Sequence, residues 1–203
     1  MDPDDVISNQ PIEAGSYRPK NSRERYSQTI TLEDAFASSS NVAAVRLFNQ
    51  IGSEQVIRTA RSLGVTSELP KGDPSLALGT SSMTLLELTA AYAGVAANEH
   101  PVRPYAFPQE EESWWDWLVS SEDSFSGGVH GDMQQMLRAA INRGTGEAAE
   151  LPIANYGKTG TTQNYRDALF VGYAGDLVVG VWVGNDDNSS LGGVTGGGLP
   201  ARI

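Results

Sequence analysis

The sequence predicts a mixed fold of the α/β (α+β) class, in which an antiparallel sheet is flanked by helices. Apolar residues recur at helical spacing through residues 31–142, and the pattern changes to strand-like alternation after residue 150. Two apolar runs, 169–173 and 177–184, are separated by the turn-forming pair Gly175-Asp176, which is typical of a hairpin. Helices followed by consecutive strands favour an antiparallel sheet with helices on its faces.

Four helices are predicted before residue 100. Thr31, with Asp34 three residues later, has the pattern of a helix start. The run Ser38-Ser39-Ser40-Asn41 interrupts the helical pattern, because Ser and Asn side chains compete for backbone hydrogen bonds. Ser39 and Asn41 are therefore expected in a short connection between two helices, where side chains can point into a cleft. Further helices are predicted around 42–51, 56–63 and 84–97, the last capped by Thr84 and Glu87.

The rest of the chain divides into four stretches. Residues 1–26 predict an extended connection over the surface, and Met133 to Ile141 predict a core helix. Residues 110–123 combine three glutamates with Trp114, Trp115 and Trp117, which favours a solvated insertion over a binding platform for peptide or glycan. A strand is predicted over 153–161, so that at least three strands follow one another.

Composition limits the possible functions. The chain has 203 residues, enough for one domain with a full core, and a net charge of −11 with a pI near 4.5. Nucleic acid requires a basic surface, so no nucleic-acid partner is expected. The absence of cysteine excludes disulfides and Cys-based zinc sites. His100 and His130 lie in polar stretches and are predicted to be exposed bystanders, so no metal site is predicted.

The sequence contains no candidate membrane anchor. No stretch reaches the ~18–20 uncharged apolar residues of a transmembrane helix, and residues 1–5 lack the features of a signal peptide.

Two short motifs carry the functional information. Lys158-Thr159-Gly160-Thr161 precedes the apolar run of 167–173, and Ser39-Ser40-Asn41 is a Ser-x-Asn motif. Both occur in penicillin-binding proteins and serine β-lactamases, together with a Ser-x-x-Lys motif that supplies the nucleophile. That third motif is missing, because the residues three positions before the lysines are Tyr17, Glu68 and Asn155.

The stretch 157–187 resembles the end of the transpeptidase domain of bifunctional, class A penicillin-binding proteins. That family typically has G-K-T-G-T-T, then D-A-W-F-V-G-Y, then V-W-V-G-N-D. Leu169 stands where the family commonly has Trp, which affects packing rather than catalysis. The resemblance covers nearly the whole chain, and its other matches follow in order: Tyr17-Arg18-Pro19-Lys20-Asn21, Thr31-Leu32, Ser75-Leu76-Ala77-Leu78-Gly79, Ala91-Tyr92-Ala93, Gly144-Thr145-Gly146 and Thr195-Gly196-Gly197.

The residues of the Lys-Thr-Gly motif suit acyl transfer. On a strand, Lys158 would place an ammonium beside a cleft, and Thr159 and Thr161 would point the same way and bind a substrate carboxylate. Gly160 would let a ligand or another backbone segment approach closely. The resemblance implies that the N–H of Thr161 is one oxyanion donor.

The resemblance also assigns roles to the residues of the Ser-x-Asn motif. It implies that Ser39 relays a proton between Lys158 and the leaving group, and that Asn41 holds the substrate backbone. It places the nucleophilic serine outside this chain.

The resemblance implies that residues 1–203 are part of a serine β-lactamase/transpeptidase-like domain. Such a domain cross-links peptidoglycan stem peptides ending in D-Ala-D-Ala, is acylated by β-lactams, needs no cofactor and lies on the periplasmic face of the bacterial inner membrane. In the family an anchor, a glycosyltransferase domain and the serine helix precede this region, so this chain alone is expected to be inactive.

Two alternatives remain open at this stage. A serine β-lactamase-like hydrolase shares the fold and motifs, although residues 17–21 and Gly184-Asn185-Asp186 favour the transpeptidase. A non-catalytic module that binds carboxylates or peptides would keep the cleft without the serine.

Overall fold

The computed structural model describes residues 1–13, 17–107 and 123–203. All but the last residue of the predicted insertion at 110–123 lie outside the described residues. The main elements, in chain order, are β1 (Val6–Asn9), β2 (Ser27–Thr31), α1 (Leu32–Ala37), α2 (Asn41–Ile51), α3 (Ser53–Ser62), α4 (Leu85–Ala97), α5 (Gly127–Asn142), β3 (Tyr156–Thr161), β4 (Asp167–Ala174) and β5 (Leu177–Gly184).

The main sheet is antiparallel, with strand order β3-β4-β5. Its strands are rich in β-branched and aromatic residues, and the β4–β5 turn contains Gly175 at a φ of +55°. Helix α4 packs closely on β5, since a side chain at Gly180 would lie 2.1 Å from Thr89 Oγ1. Val95, Leu137 and Tyr173 form the core between α4, α5 and the sheet. The predicted fold class is confirmed.

A second, two-stranded sheet is formed by β1 and β2, which the sequence analysis missed. Residues 1–26 were expected to form only an extended connection, but Val6 pairs with Thr31 and Ile7 with Ile30. Ile7 is buried against Ala35. Burial of this side chain outweighs the polar composition of the surrounding sequence. The β-branched run Thr29-Ile30-Thr31 is the signal that could have identified β2.

The predicted helix starts at Thr31 and Thr84 are confirmed, and α2 begins with a cap at Ser40 that was not predicted. Thr31 Oγ1 accepts the N–H of Asp34 at 3.1 Å, and Ser40 Oγ accepts the N–H of Ala43 at 3.3 Å. Thr84 begins α4 with a full capping box. The predicted strand at 153–161 begins only at Tyr156.

The prediction that both histidines are exposed is wrong. His100 is 4% exposed, packs on the ring of Phe125 and places Nδ1 3.1 Å from the carbonyl of Ser62. His130 is half-buried within α5, with Nε2 2.8 Å from the carbonyl of Val95. The apolar carbons of an imidazole pack well once a carbonyl satisfies one ring nitrogen. Polar neighbours in the sequence do not reveal such a carbonyl.

Glu87 joins the start of α4 to the loop after α3. Its Oε1 accepts hydrogen bonds from Thr66 N at 2.9 Å, Thr66 Oγ1 at 2.6 Å and Ser67 N at 3.0 Å, and its Oε2 accepts one from Ser67 Oγ at 2.6 Å. These bonds hold the pKa of Glu87 far below its ordinary value of 4.5, and the bond from the Ser67 hydroxyl has the largest effect.

We expect Glu87→Gln to lower the melting temperature of this chain at pH 7 and to matter less in acid. A carboxylate whose pKa is lowered by folding stabilises the protein above the unfolded pKa, and this contribution is lost as the pH falls below about 4.5. Melting temperatures from pH 7 to pH 3 should show the gap between wild type and variant narrowing. Glu54→Gln, in the first turn of α3, is the matched control. A difference in melting temperature that stays constant from pH 7 to pH 3 would contradict a stabilising role for the ionised Glu87 side chain.

Within the described ranges, no helix has both the length and the apolar character needed to cross a bilayer.

Candidate active site

Ser39 lies in the connection between α1 and α2, as predicted. Its φ is +58°, a left-handed conformation that is uncommon for a residue other than glycine. Its N–H donates to the carbonyl of Phe36 at 3.2 Å, and the next residue, Ser40, caps α2. These contacts at the end of α1 and the start of α2 fix a tight turn, in which Ser39 is exposed.

A buried polar network supports this turn from behind. Asn9, Asn21 and Ser40 are each no more than 7% exposed. Ser40 Oγ donates to Asn9 Oδ1 at 2.7 Å, and Asn21 Nδ2 donates to the same oxygen at 2.9 Å. Asn21 Oδ1 accepts the N–H of Val42 at 3.0 Å. Buried polar groups that are fully paired specify one arrangement, because every alternative leaves a donor or acceptor unpaired.

Lys158 reaches the Ser39 turn from β3. Its Nζ donates to Ser39 Oγ at 2.8 Å and to the carbonyl of Thr159 at 3.3 Å. The ammonium lies 5.6 Å from the centre of the Phe36 ring. Among the described residues, no carboxylate lies within ion-pair distance of it. Burial without an opposite charge lowers the pKa of Lys158 from 10.5 to about 8.

Strand β3 is an edge strand of the described sheet, and one side of its backbone is open. The N–H of Thr162 donates to the carbonyl of Asp167 at 3.0 Å, in register with the β3–β4 ladder. Backbone groups alternate in direction along a strand, so the N–H groups of Thr159 and Thr161 point away from β4. The open side therefore offers donors and acceptors to an extended ligand.

The hydroxyls of Thr159 and Thr161 already have partners within the chain. Thr159 Oγ1 lies 2.5 Å from Thr145 Oγ1, and Thr161 Oγ1 accepts the N–H of Gly196 at 3.0 Å. A hydroxyl that accepts a hydrogen bond still has its own proton to donate. Thr161 can therefore donate to a bound anion, and Thr159 can do so when Thr145 is the donor of the bond between them.

The close approach expected at Gly160 occurs, but a different glycine makes it possible. A Cβ at Gly160 would meet only the Leu169 side chain, at the ordinary distance of 3.6 Å. A Cβ at Gly196 would lie 2.3 Å from the carbonyl oxygens of both Gly160 and Leu169. The segment 195–197 crosses β3 at this point. The steric requirement for glycine therefore falls on Gly196.

Asn41 was expected in the connection between the helices, but it is the first residue of α2, because Ser40 caps the helix one residue earlier. It lies half-buried beside Ser39. Its Nδ2 donates to the carbonyl of Lys20 at 2.7 Å. This bond ties the stretch 17–21 to the turn. It leaves the Asn41 carbonyl oxygen and the second amide hydrogen available to a ligand.

Across 1–13, 17–107 and 123–203, no group of three or more His, Cys, Asp or Glu side chains is arranged to hold a metal ion. The polar groups gathered around Lys158 are hydroxyls and backbone amides. They suit the binding of a carboxylate and the stabilisation of an oxyanion.

This arrangement agrees with the comparison to known proteins. A family model described as the penicillin-binding protein transpeptidase domain matches residues 1–196. The chain belongs to this family.

Two relatives illustrate the similarity. Penicillin-binding protein 1A of Aquifex aeolicus is 35% identical over 187 residues, which cover 90% of this chain and 26% of the relative. Penicillin-binding protein 1A of Neisseria lactamica is 32% identical over 199 residues, which cover 91% of this chain and 25% of the relative. The chain spans about a quarter of the length of these curated relatives.

Solved structures show the same fold. Penicillin-binding protein 1A from Haemophilus influenzae superposes with a TM-score of 0.81 at 23% identity, over 98% of this chain and 38% of that one. The D,D-transpeptidase domain of a peptidoglycan glycosyltransferase from Eggerthella lenta superposes with a TM-score of 0.72 at 21% identity, over 99% of this chain and 58% of that one. The fold is therefore that of penicillin-binding transpeptidase domains, as the sequence motifs predict.

The structure of this penicillin-binding family member brings together all the predicted site segments. Ser39 and Asn41 form one wall, and the Lys158–Thr161 stretch of β3 forms the other. The contacts made by Thr145, Asn9 and Gly196 were not predicted. Thr145 and Gly196 lie in stretches that match the family, which was the available signal. Asn9 lies outside every motif, and no sequence signal points to it.

Proposed function

We propose that this chain provides two walls of the acyl-transfer site of a D,D-transpeptidase that cross-links peptidoglycan stem peptides. The observation that carries the proposal is the 2.8 Å hydrogen bond between Lys158 Nζ and Ser39 Oγ, which joins segments far apart in the sequence. In the proposed reaction a serine hydroxyl gives its proton to a neighbouring base outside this chain, and its oxygen forms an ester bond to the carbonyl carbon of the D-Ala-D-Ala bond. The C–N bond breaks, and terminal D-Ala leaves with an added proton.

Lys158 and Ser39 supply that proton. With its pKa lowered to about 8, Lys158 releases a proton more readily than a solvated lysine does. Ser39 Oγ accepts from the ammonium and keeps its own hydrogen, which it donates to the departing nitrogen. A proton from Lys158 then replaces the one that Ser39 has given away.

The remaining residues bind the substrate. The hydroxyls of Thr159 and Thr161 donate to the terminal carboxylate, and the outward N–H of Thr161 is one oxyanion donor. Asn41 holds the backbone of the stem peptide through its amide. Gly160 keeps the middle of the strand free of a side chain where the peptide lies alongside it. The partners are therefore stem peptides and the β-lactams that mimic them, on the periplasmic side of the inner membrane.

The proposed nucleophile belongs to a Ser-x-x-Lys helix that precedes residue 1. The test compares this chain with an extended polypeptide, in which the segment carrying that helix is joined to residues 1–203. Fluorescent penicillin should label the extended polypeptide and should not label the 203-residue chain. The 203-residue chain should stay unlabelled because it contains no Ser-x-x-Lys motif.

The adduct is identified by mass spectrometry and by its release with hydroxylamine. An adduct on the 203-residue chain would show that one of its own serines, with Ser39 the first candidate, is the nucleophile. No adduct on the folded extended polypeptide would contradict the proposed function. Rapid turnover of the drug, rather than a lasting adduct, would favour a β-lactamase-like hydrolase.

A further inference from the structure

Thr145 lies where three parts of the site meet. It follows α5, it is exposed, and its Oγ1 lies 2.5 Å from Oγ1 of Thr159. Its N–H donates to the carbonyl of Ala37 at 3.1 Å, at the end of the helix that leads to Ser39. A Cβ on Gly197 would lie 2.2 Å from the Thr145 carbonyl oxygen, so the segment 195–197 packs directly on Thr145.

The hydrogen bond between the two hydroxyls constrains where their protons point. The pair has two hydroxyl hydrogens, and one of them occupies the short contact. If Thr145 donates to Thr159, the hydrogen of Thr159 is directed away from Thr145. The backbone contacts fix the position of the Thr145 backbone, so its side chain reaches Thr159 by adopting a single rotamer.

We propose that Thr145 is a positioning residue for carboxylate recognition, and that its hydroxyl directs the Thr159 hydroxyl toward the substrate carboxylate. This inference rests on the proposed function, in which Thr159 binds that carboxylate. Without Thr145, the Thr159 hydroxyl would lose its rotational freedom only when the ligand binds, and this loss would weaken binding. The Thr145 contact removes that freedom beforehand, which favours acylation by ligands that carry the carboxylate.

The test uses the extended polypeptide and two probes, benzylpenicillin and its methyl ester. The variant Thr145→Val keeps the side-chain shape and the backbone N–H but removes the hydroxyl, and Thr145→Ser keeps the hydroxyl. We expect Thr145→Val to slow acylation by benzylpenicillin about tenfold, the scale of one neutral hydrogen bond. Acylation by the ester should stay within about twofold of wild type, and Thr145→Ser should retain the wild-type ratio of the two rates.

A double-mutant cycle gives a second measurement. Thr159→Val alone should also slow benzylpenicillin, and adding Thr145→Val to it should cause little further loss, because the two hydroxyls act together. Equal slowing of both probes by Thr145→Val would mean a purely structural role and would overturn the inference. Losses that add fully, or a serine variant that behaves like valine, would also overturn it. A folded wild-type polypeptide that neither probe acylates would instead refute the proposed function, and this inference with it.

Discussion

Lys158→Ala is expected to reduce the rate of acylation of the extended polypeptide by benzylpenicillin by about 10²–10³-fold. The substitution removes the charged group that donates to Ser39 and that sits among hydroxyls and backbone amides. Such preorganised charges act strongly because they are already in place when charge develops in the transition state. The rate is measured from quenched time courses of labelling with fluorescent penicillin at several drug concentrations.

The loss must not reflect unfolding, so the circular dichroism spectrum and the melting curve of the variant are compared with wild type. The matched control is Lys71→Ala, which removes an exposed lysine. Wild-type rates are expected for that control. A Lys158→Ala variant that labels as fast as wild type would remove Lys158 from the proton path.

Gly144→Ala is expected to destabilise the extended polypeptide by about 3 kcal/mol or more. A Cβ at this position would lie 2.4 Å from the carbonyl oxygen of Ala37 and 2.8 Å from the backbone of Ala140. Both contacts are with backbone atoms that cannot rotate away. Arg143, the preceding residue, pairs with Asp34 at 2.9 Å across the same junction of α1 and α5.

Urea denaturation measures the free energy of unfolding. Gly131→Ala, in the exposed part of α5, is the control, since a Cβ there meets nothing within 4 Å. That substitution should stabilise the protein by up to about 1 kcal/mol, because alanine favours the helix. If Gly144→Ala were as stable as Gly131→Ala, the close packing of α1 on α5 would be wrong.

Most of the fold could be predicted because its signals are local. The capping pairs Thr31 with Asp34 and Thr84 with Glu87 lie within one helical turn. The hairpin of β4 and β5 forms between neighbouring runs with a glycine turn. The pairing of β1 with β2 was missed, because it joins residues that are separated by a long polar stretch and depends on burying Ile7.

The candidate site divides in the same way. Ser39, Asn41 and the Lys158–Thr161 stretch could be named from their motifs, but only the fold shows that Lys158 touches Ser39. Gly196 was not expected to set the spacing at β3, because the family match marks its stretch but does not show which residues that stretch will contact. The hydroxyl contact of Thr145 could not be predicted for the same reason.

Under the proposed function, the buried network of Asn9, Asn21 and Ser40 bears on how fast a β-lactam acylates the site. None of these side chains needs to touch a β-lactam, yet together they hold the turn that presents Ser39. A small change in the network would move Ser39 relative to Lys158 while leaving the motif residues intact. If the proposed function holds, substitutions at these three positions should therefore change the acylation rate without touching the bound antibiotic.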